Sequence, residues 1–206
     1  MRPRAATLLT LLALVASACA THRIDLSDPD AAALARSGPP TMGKVVVVRF
    51  HDARTREWAT GRQVGQMREG YGIPVVAVEA EQDPVLWVAD GLAHGLALHG
   101  YEVERLDAPP ADPSAFVVMG SVVQVFGDAY LMKGAGIVAD VWLVHGGWTI
   151  WSGRCEGTST SLQWPSLEHP LRAALLDARK QLVARCVPPI ATAIERAKEA
   201  QAAASS

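Results

Sequence analysis

Apolar residues recur along the chain at either two-residue or helical spacing, in runs separated by Gly, Pro and Asp clusters. Lys44 to Phe50 (KVVVVRF) is continuous and β-branched, which predicts a central strand. Gln63 to Met67 and Val75 to Ala80 are expected to pair as a hairpin across Glu69-Gly70-Tyr71-Gly72. Asp83-Pro84 opens a helix that Gly100 is placed to end, with Val85, Val88, Ala89, Leu92, Ala93 and Leu96 on one face. Gly91 and Gly95 weaken that helix, and their expected use is close approach to a sheet. Tyr101 to Leu106, Ala115 to Phe126 and Ile137 to His145 read as strands, and Gly146-Gly147 turns the last of them into Trp148 to Thr158. Ser166 to Arg185 is a second helix with Leu171, Leu175, Ala178, Leu182 and Cys186 in one stripe, broken or kinked at Pro188-Pro189. Two amphipathic helices and five or more strands predict an α/β fold, a two-layer sandwich with a mixed sheet and two main helices.

One strand departs from the simple pattern. In Ala115 to Phe126 both alternating sets are apolar, Phe116, Val118 and Val122 on one side and Val117, Met119, Val123 and Val125 on the other. A sheet covered by helices on one side only should alternate apolar and polar. The second face is therefore covered by the hairpin segment or a chain partner, or it is a groove for a lipidic or protein ligand.

The N-terminus changes the picture of where such a domain works. Arg2 and Arg4 precede Thr7 to Ala16 (TLLTLLALVA), an apolar run of signal-peptide length and too short to span a bilayer. Ala16-Ser17-Ala18-Cys19 resembles the bacterial lipobox, which implies cleavage before Cys19 and a lipid of diacylglycerol and palmitate on that cysteine. Ala16 stands where Leu is usual, so an ordinary cleaved signal with Cys19 incidental stays open. Ala20 after the cysteine resembles the outer-membrane sorting class and implies the periplasmic face of that membrane.

The expected organisation is a signal peptide over 1–18, a flexible tether over 19–42 and a single α/β domain over 43–206. Within the tether, Asp28-Pro29-Asp30 and AAALAR can form a helical turn or two before Gly38-Pro39-Pro40. Its roughly 23 residues reach at most about 80 Å, enough to let the domain float clear of the membrane. Losing Arg2 and Arg4 takes the net charge from −2 to −4, which argues against nucleic acid as partner.

Once Cys19 is acylated, two thiols remain. Cys186 lies on the stripe of the last helix and Cys155 on the strand before it, so an oxidising compartment favours a bridge. The alternative is two separate buried thiols acting as small hydrophobes. No His or Cys sits at ligand spacing beside either, so no metal is expected.

The layout resembles the YajG-type family of bacterial lipoproteins. The matching features are the strand into an Asp-Ala-Arg turn (Val45 to Arg54), Val64-Gly65, the helix ending in Gly-Tyr-x-Val (Gly100 to Val103), Gly120 to Val122, and Trp151-Ser152-Gly153. The resemblance implies an envelope lipoprotein and supplies no catalytic residue. The residues agree: there is no G-x-S-x-G, and Gly134-Ala135-Gly136 does not open a helix as a phosphate cradle would. His51-Asp52 are adjacent in a strand and point to opposite faces, whereas Asp52 and Arg54 can share a face and tie the loop together. Asp52, Arg54, Arg56 and Arg62 in the charged segment 51–72 form a candidate partner-binding loop. The expected function is a non-catalytic, lipid-anchored binding or assembly module of the envelope, with no cofactor and an envelope protein or lipidic ligand as partner. The alternative is an auxiliary lipoprotein subunit of an envelope lipid or ABC-type transport system.

Overall fold

The computed structural model describes residues 21–28, 41–55, 61–130, 133–161 and 170–206. The elements run β1 (Thr21–Ile24), β2 (Lys44–Val48), β3 (His51–Asp52), β4 (Gln63–Arg68), β5 (Pro74–Ala80), α1 (Pro84–Leu98), β6 (Glu102–Leu106), β7 (Phe116–Ala129), β8 (Lys133–His145), β9 (Trp148–Ser161) and α2 (Pro170–Ala204). The result is an α/β sandwich in which one mixed, nine-stranded sheet carries both helices on the same face.

β7, β8 and β9 form a long antiparallel meander, its β8–β9 turn made by Gly146 and Gly147 at φ of 62° and 79°. A residue with a side chain is strained at such angles, which is why the turn reads Gly-Gly. The other edge of β7 is shared by three short strands laid end to end. β2 pairs with Val117 and its neighbours, β3 with Ser121 and Val122, and β4 with Gly127 to Ala129, all in parallel. The sheet thus divides into two wings: β6 extends it beside β2, and β5 then β1 extend it beside β4.

Asp83 caps α1, its carboxylate accepting from the backbone N–H of Val85 at 2.8 Å and of Leu86 at 3.3 Å. Gly91 and Gly95 do allow a close approach, but to α2 and not to the sheet. A methyl on Gly95 would lie 2.3 Å from Val183 and 2.9 Å from Val187. α2 runs unbroken through Pro188 and Pro189. Each proline costs about 3 kcal/mol in a helix interior. The helix persists because Leu182, Cys186, Val187, Ile190, Ala191 and Ile194 are buried on both sides of the pair, and tertiary packing outweighs local propensity.

The contact of α2 with β9 is equally tight. The Cys155 and Cys186 sulfurs are bonded, with their α-carbons 5.6 Å apart. A bridge closing a 31-residue separation contributes on the order of 3–4 kcal/mol in the chain-entropy model. Two residues along β9, a methyl on Gly157 would stand 1.8 Å from the Ala178 carbonyl and 2.6 Å from the Leu182 nitrogen. Only hydrogen fits between strand and helix backbone there. Gly157→Ala is expected to lower stability by about 1–3 kcal/mol or more through helix displacement, whereas Gly134→Ala, whose nearest neighbour would be 3.7 Å away, should stay near wild type. Thermal unfolding of the two variants measures the difference, and equal midpoints would show that α2 does not lie directly on β9.

Candidate functional site

Three regions bear on function: the N-terminal segment, the charged segment after β2, and the sheet face away from the helices. Cys19 lies outside the described residues, as do the expected signal peptide over 1–18 and Arg56.

The flexible tether expected over 19–42 is corrected for residues 21–28, which are built into the domain. β1 pairs in parallel with β5, Thr21 opposite Ala77 and Ile24 opposite Ala80, and Ile24 and Leu26 are buried. The sequence THRIDLSD shows no strong alternation, and the edge strand is held by side chains from elsewhere that bond the residues just after it. Leu26 donates its N–H to the Gln82 side-chain oxygen at 2.8 Å and accepts from the Trp87 indole at 2.7 Å. Arg172 on α2 donates to the carbonyl oxygens of Asp25 and Ser27, both at 2.7 Å. The Ser27 hydroxyl and N–H, with the Gln82 amide, hold the Asp25 carboxyl down to about 2.

Arg179 fastens the end of this segment. Its guanidinium pairs with Asp28 at 2.8 Å, donates to the Trp87 carbonyl at 3.2 Å and lies 4.6 Å from the centre of the Trp87 ring. Both charged side chains are about nine-tenths buried, and burial draws the Arg179 pKa below its ordinary value. Removing either member of such a pair leaves the other charge poorly solvated.

The described parts of the charged segment, 51–55 and 61–72, are built into the sheet and its turns. His51–Asp52 joins the sheet as β3 and Gln63–Arg68 as β4. The pairing of β4 with β5 forms the expected hairpin. Arg54 is withdrawn from any partner, its side chain 1% exposed. It grips Asp52 with Nε and Nη2, both at 2.8 Å, and donates to the carbonyls of Gly61 at 2.6 Å and Gln63 at 3.3 Å. Of the candidate loop residues, Arg54 is therefore a structural clamp, with Asp52 as its half-exposed counter-ion. Arg62 is exposed and donates to the Glu81 carbonyl at 2.9 Å.

The sheet face opposite the helices is not covered by the hairpin, which extends the sheet instead. Among the described residues no helix lies on it. It carries its own apolar cluster, with Val46, Val48 and Val117 buried and Leu106, Ala115, Met119 and Val144 partly buried around them. Strand register places Val46 beside Val117 and Val117 beside Val144, with Met119 beside Trp142, so the strip crosses β2, β7 and β8. Ion pairs flank it, Lys44–Glu104 at 2.9 Å on one side and Asp140–Arg154 at 2.8 Å on the other. The half-buried Leu106, Met119, Trp142 and Val144 are the members that reach the surface, and an apolar strip with a charged border suits contact with another surface. Spacing in β7 pointed to this face, whereas the Asp28–Arg179 clasp joins residues 151 apart and left no signal in the sequence. Among the described residues no three His, Cys, Asp or Glu side chains converge as metal ligands, and no helix is long and apolar enough to cross a membrane.

No family model matches the chain, and no curated protein matches it. Solved structures do. A protein of Xanthomonas campestris assigned to the DUF330 family superposes with a TM-score of 0.56 at 12% identity, covering 88% of this chain and 98% of that one. A candidate lipoprotein from Caulobacter crescentus gives a TM-score of 0.40 at 15% identity, over 66% of this chain and 93% of its own. The PelC dodecamer from Paraburkholderia phytofirmans gives 0.42 at 16% identity, over 73% and 92% respectively. The first likeness shows a shared fold, and the other two are too distant to carry more.

The clamp at Arg54 has a measurable signature. Arg54→Met should lower stability at neutral pH by about 1–3 kcal/mol, because it leaves buried carbonyls unpaired. The Arg54 guanidinium also holds the Asp52 carboxyl below the usual carboxylate range. A depressed folded pKa stabilises above the unfolded value of about 3.9 and loses that contribution as pH falls through the folded one. The gap between wild type and Asp52→Asn should therefore be present at pH 7 and close below about pH 4. Urea unfolding at several pH values reads both effects. An Arg54→Met variant as stable as wild type would return Arg54 to the partner-binding role.

Proposed function

We propose that this chain is a non-catalytic, lipid-anchored module of the bacterial cell envelope. It is acylated at Cys19, sits at the periplasmic face of the outer membrane and binds an envelope protein or lipidic ligand through the open face of its sheet. The observation that carries this reading is that face: an apolar strip across β2, β7 and β8 with a charged border and no covering helix among the described residues. The lipobox-like Ala16 to Cys19 supports the anchor, and the YajG-type motifs are consistent with it. An auxiliary lipoprotein subunit of an envelope lipid or ABC-type transport system would use the same face. It differs in requiring a fixed partner complex.

Two measurements test this. Cys19→Ala should yield a soluble, unprocessed or mislocalised protein without the mass of the acyl chains, and a mature, membrane-bound protein of unchanged mass would refute the anchor. A photo-crosslinking residue at Trp142, on the open face, should trap an envelope component in cells. The same residue at Arg62 should not. Equal trapping at both positions, or none at Trp142, would refute the sheet face as the binding surface.

A further inference from the structure

β1 leaves almost no chain between the fold and the acylated cysteine. After cleavage before Cys19, only Cys19 and Ala20 would precede Thr21, which is already paired with Ala77. At roughly 3.5 Å per residue, the Cys19 α-carbon lies within about 7 Å of that of Thr21. An anchor this short, on a strand fixed by Arg172 and Arg179, sets which end of the sheet meets the bilayer.

That end can be read from strand register. Since β1 runs parallel to β5, the chain before Thr21 heads toward Pro74 and the turn joining β4 to β5. Arg68 lies opposite Pro74, and Met67 pairs with Ala129, so the end of β7 closes the same rim. Three large apolar side chains project there: Tyr71 is 93% exposed, Ile73 59% and Tyr130 40%. A single exposed apolar residue is ordinary, but these three are held together. The Tyr130 hydroxyl donates to the Gly70 carbonyl at 2.7 Å, Arg68 donates to the Gly72 carbonyl at 3.1 Å, and the Glu69 N–H donates to the Ile73 carbonyl at 3.0 Å. The turn is thus presented in one shape.

We infer that Tyr71, Ile73 and Tyr130 form a membrane-seating rim that rests in the headgroup region beside the acyl chains, so that the domain stands on the bilayer in one orientation. This rests on acylation of Cys19 as proposed above. Tyrosine suits that depth because its ring is apolar and its hydroxyl stays hydrated. Weak interfacial contacts become effective once the anchor has made them intramolecular. The β8–β9 turn and the exposed Trp148 lie at the opposite end of β8, about 40 Å away at 3.3 Å per residue. They point into the aqueous compartment.

The chemistry of the cysteines makes the test clean. With Cys19 acylated and Cys155 bonded to Cys186, a cysteine introduced by Ile73→Cys or Trp148→Cys is the single free thiol for a nitroxide label. The full acylated protein is placed in vesicles of phosphatidylethanolamine and phosphatidylglycerol. The label at 73 should lose several-fold in collisions with a water-soluble nickel chelate and gain in collisions with oxygen, while the label at 148 stays fully aqueous. A flexible Gly/Ser insertion of about 12 residues between Ala20 and Thr21, reaching about 20 Å, should return the label at 73 to water with acylation intact. Intact mass is measured on every sample. Acylated protein whose label at 73 is as aqueous as that at 148 overturns the rim and leaves the anchor standing. Protein without acyl mass overturns both. A label at 73 that remains shielded after the insertion overturns the role given to the short anchor.

Discussion

The packing of residues 21–28 onto the domain is the constraint on which the remaining geometry depends. The clasp of Asp28, Arg179 and Trp87 is an ion pair, a carbonyl hydrogen bond and a cation–ring contact around one guanidinium. Buried ion pairs add modest net stability but penalise every arrangement that separates the partners. That asymmetry suits a clasp: it fixes one register of β1 on β5 without needing a strongly β-forming sequence. With β1 fixed, residues 21–28 belong to the domain and not to the flexible tether expected over 19–42.

The clasp can hold because α2 is itself immobile. Arg172 and Arg179 both project from this helix, and α2 is pinned to β9 by the Cys155–Cys186 bond and by the methyl-free contact at Gly157. α1 is drawn against α2 by the similarly close contact at Gly95. Both helices therefore lie on one face of the sheet. The opposite face is left with the Val46, Val48 and Val117 cluster and the border ions.

The elements with strong local signals were legible in the sequence. β2, the β4–β5 hairpin, the capped start of α1 and the Gly-Gly turn each rest on residue types that dictate local geometry. Other features depend on distant partners and were not. β1 has weak propensity and exists through Gln82, Trp87, Arg172 and Arg179. β3 is two residues long and is recruited by the free edge of β7 between β2 and β4. Pro188-Pro189 carried a strong breaking signal that was overridden by the buried residues on either side. The tie between Asp52 and Arg54 was legible from their spacing, but Arg54 was also a candidate partner-binding residue because sequence alone does not place the Gly61 and Gln63 carbonyls around it. For the candidate site, the two-sided apolar pattern of β7 signalled the face opposite the helices, and the exposed turn residues gained meaning only when register placed them at the end of the sheet where β1 begins.

The packing of residues 21–28 is read directly by amide hydrogen exchange and mass spectrometry of the folded, disulfide-intact protein. This segment should be protected, with Leu26 exchanging far more slowly than in an unstructured peptide and losing that protection in Arg179→Met. Exchange of 21–28 at the rate of a free peptide in the wild-type protein would contradict that packing, and would restore the picture of a domain floating on a slack tether.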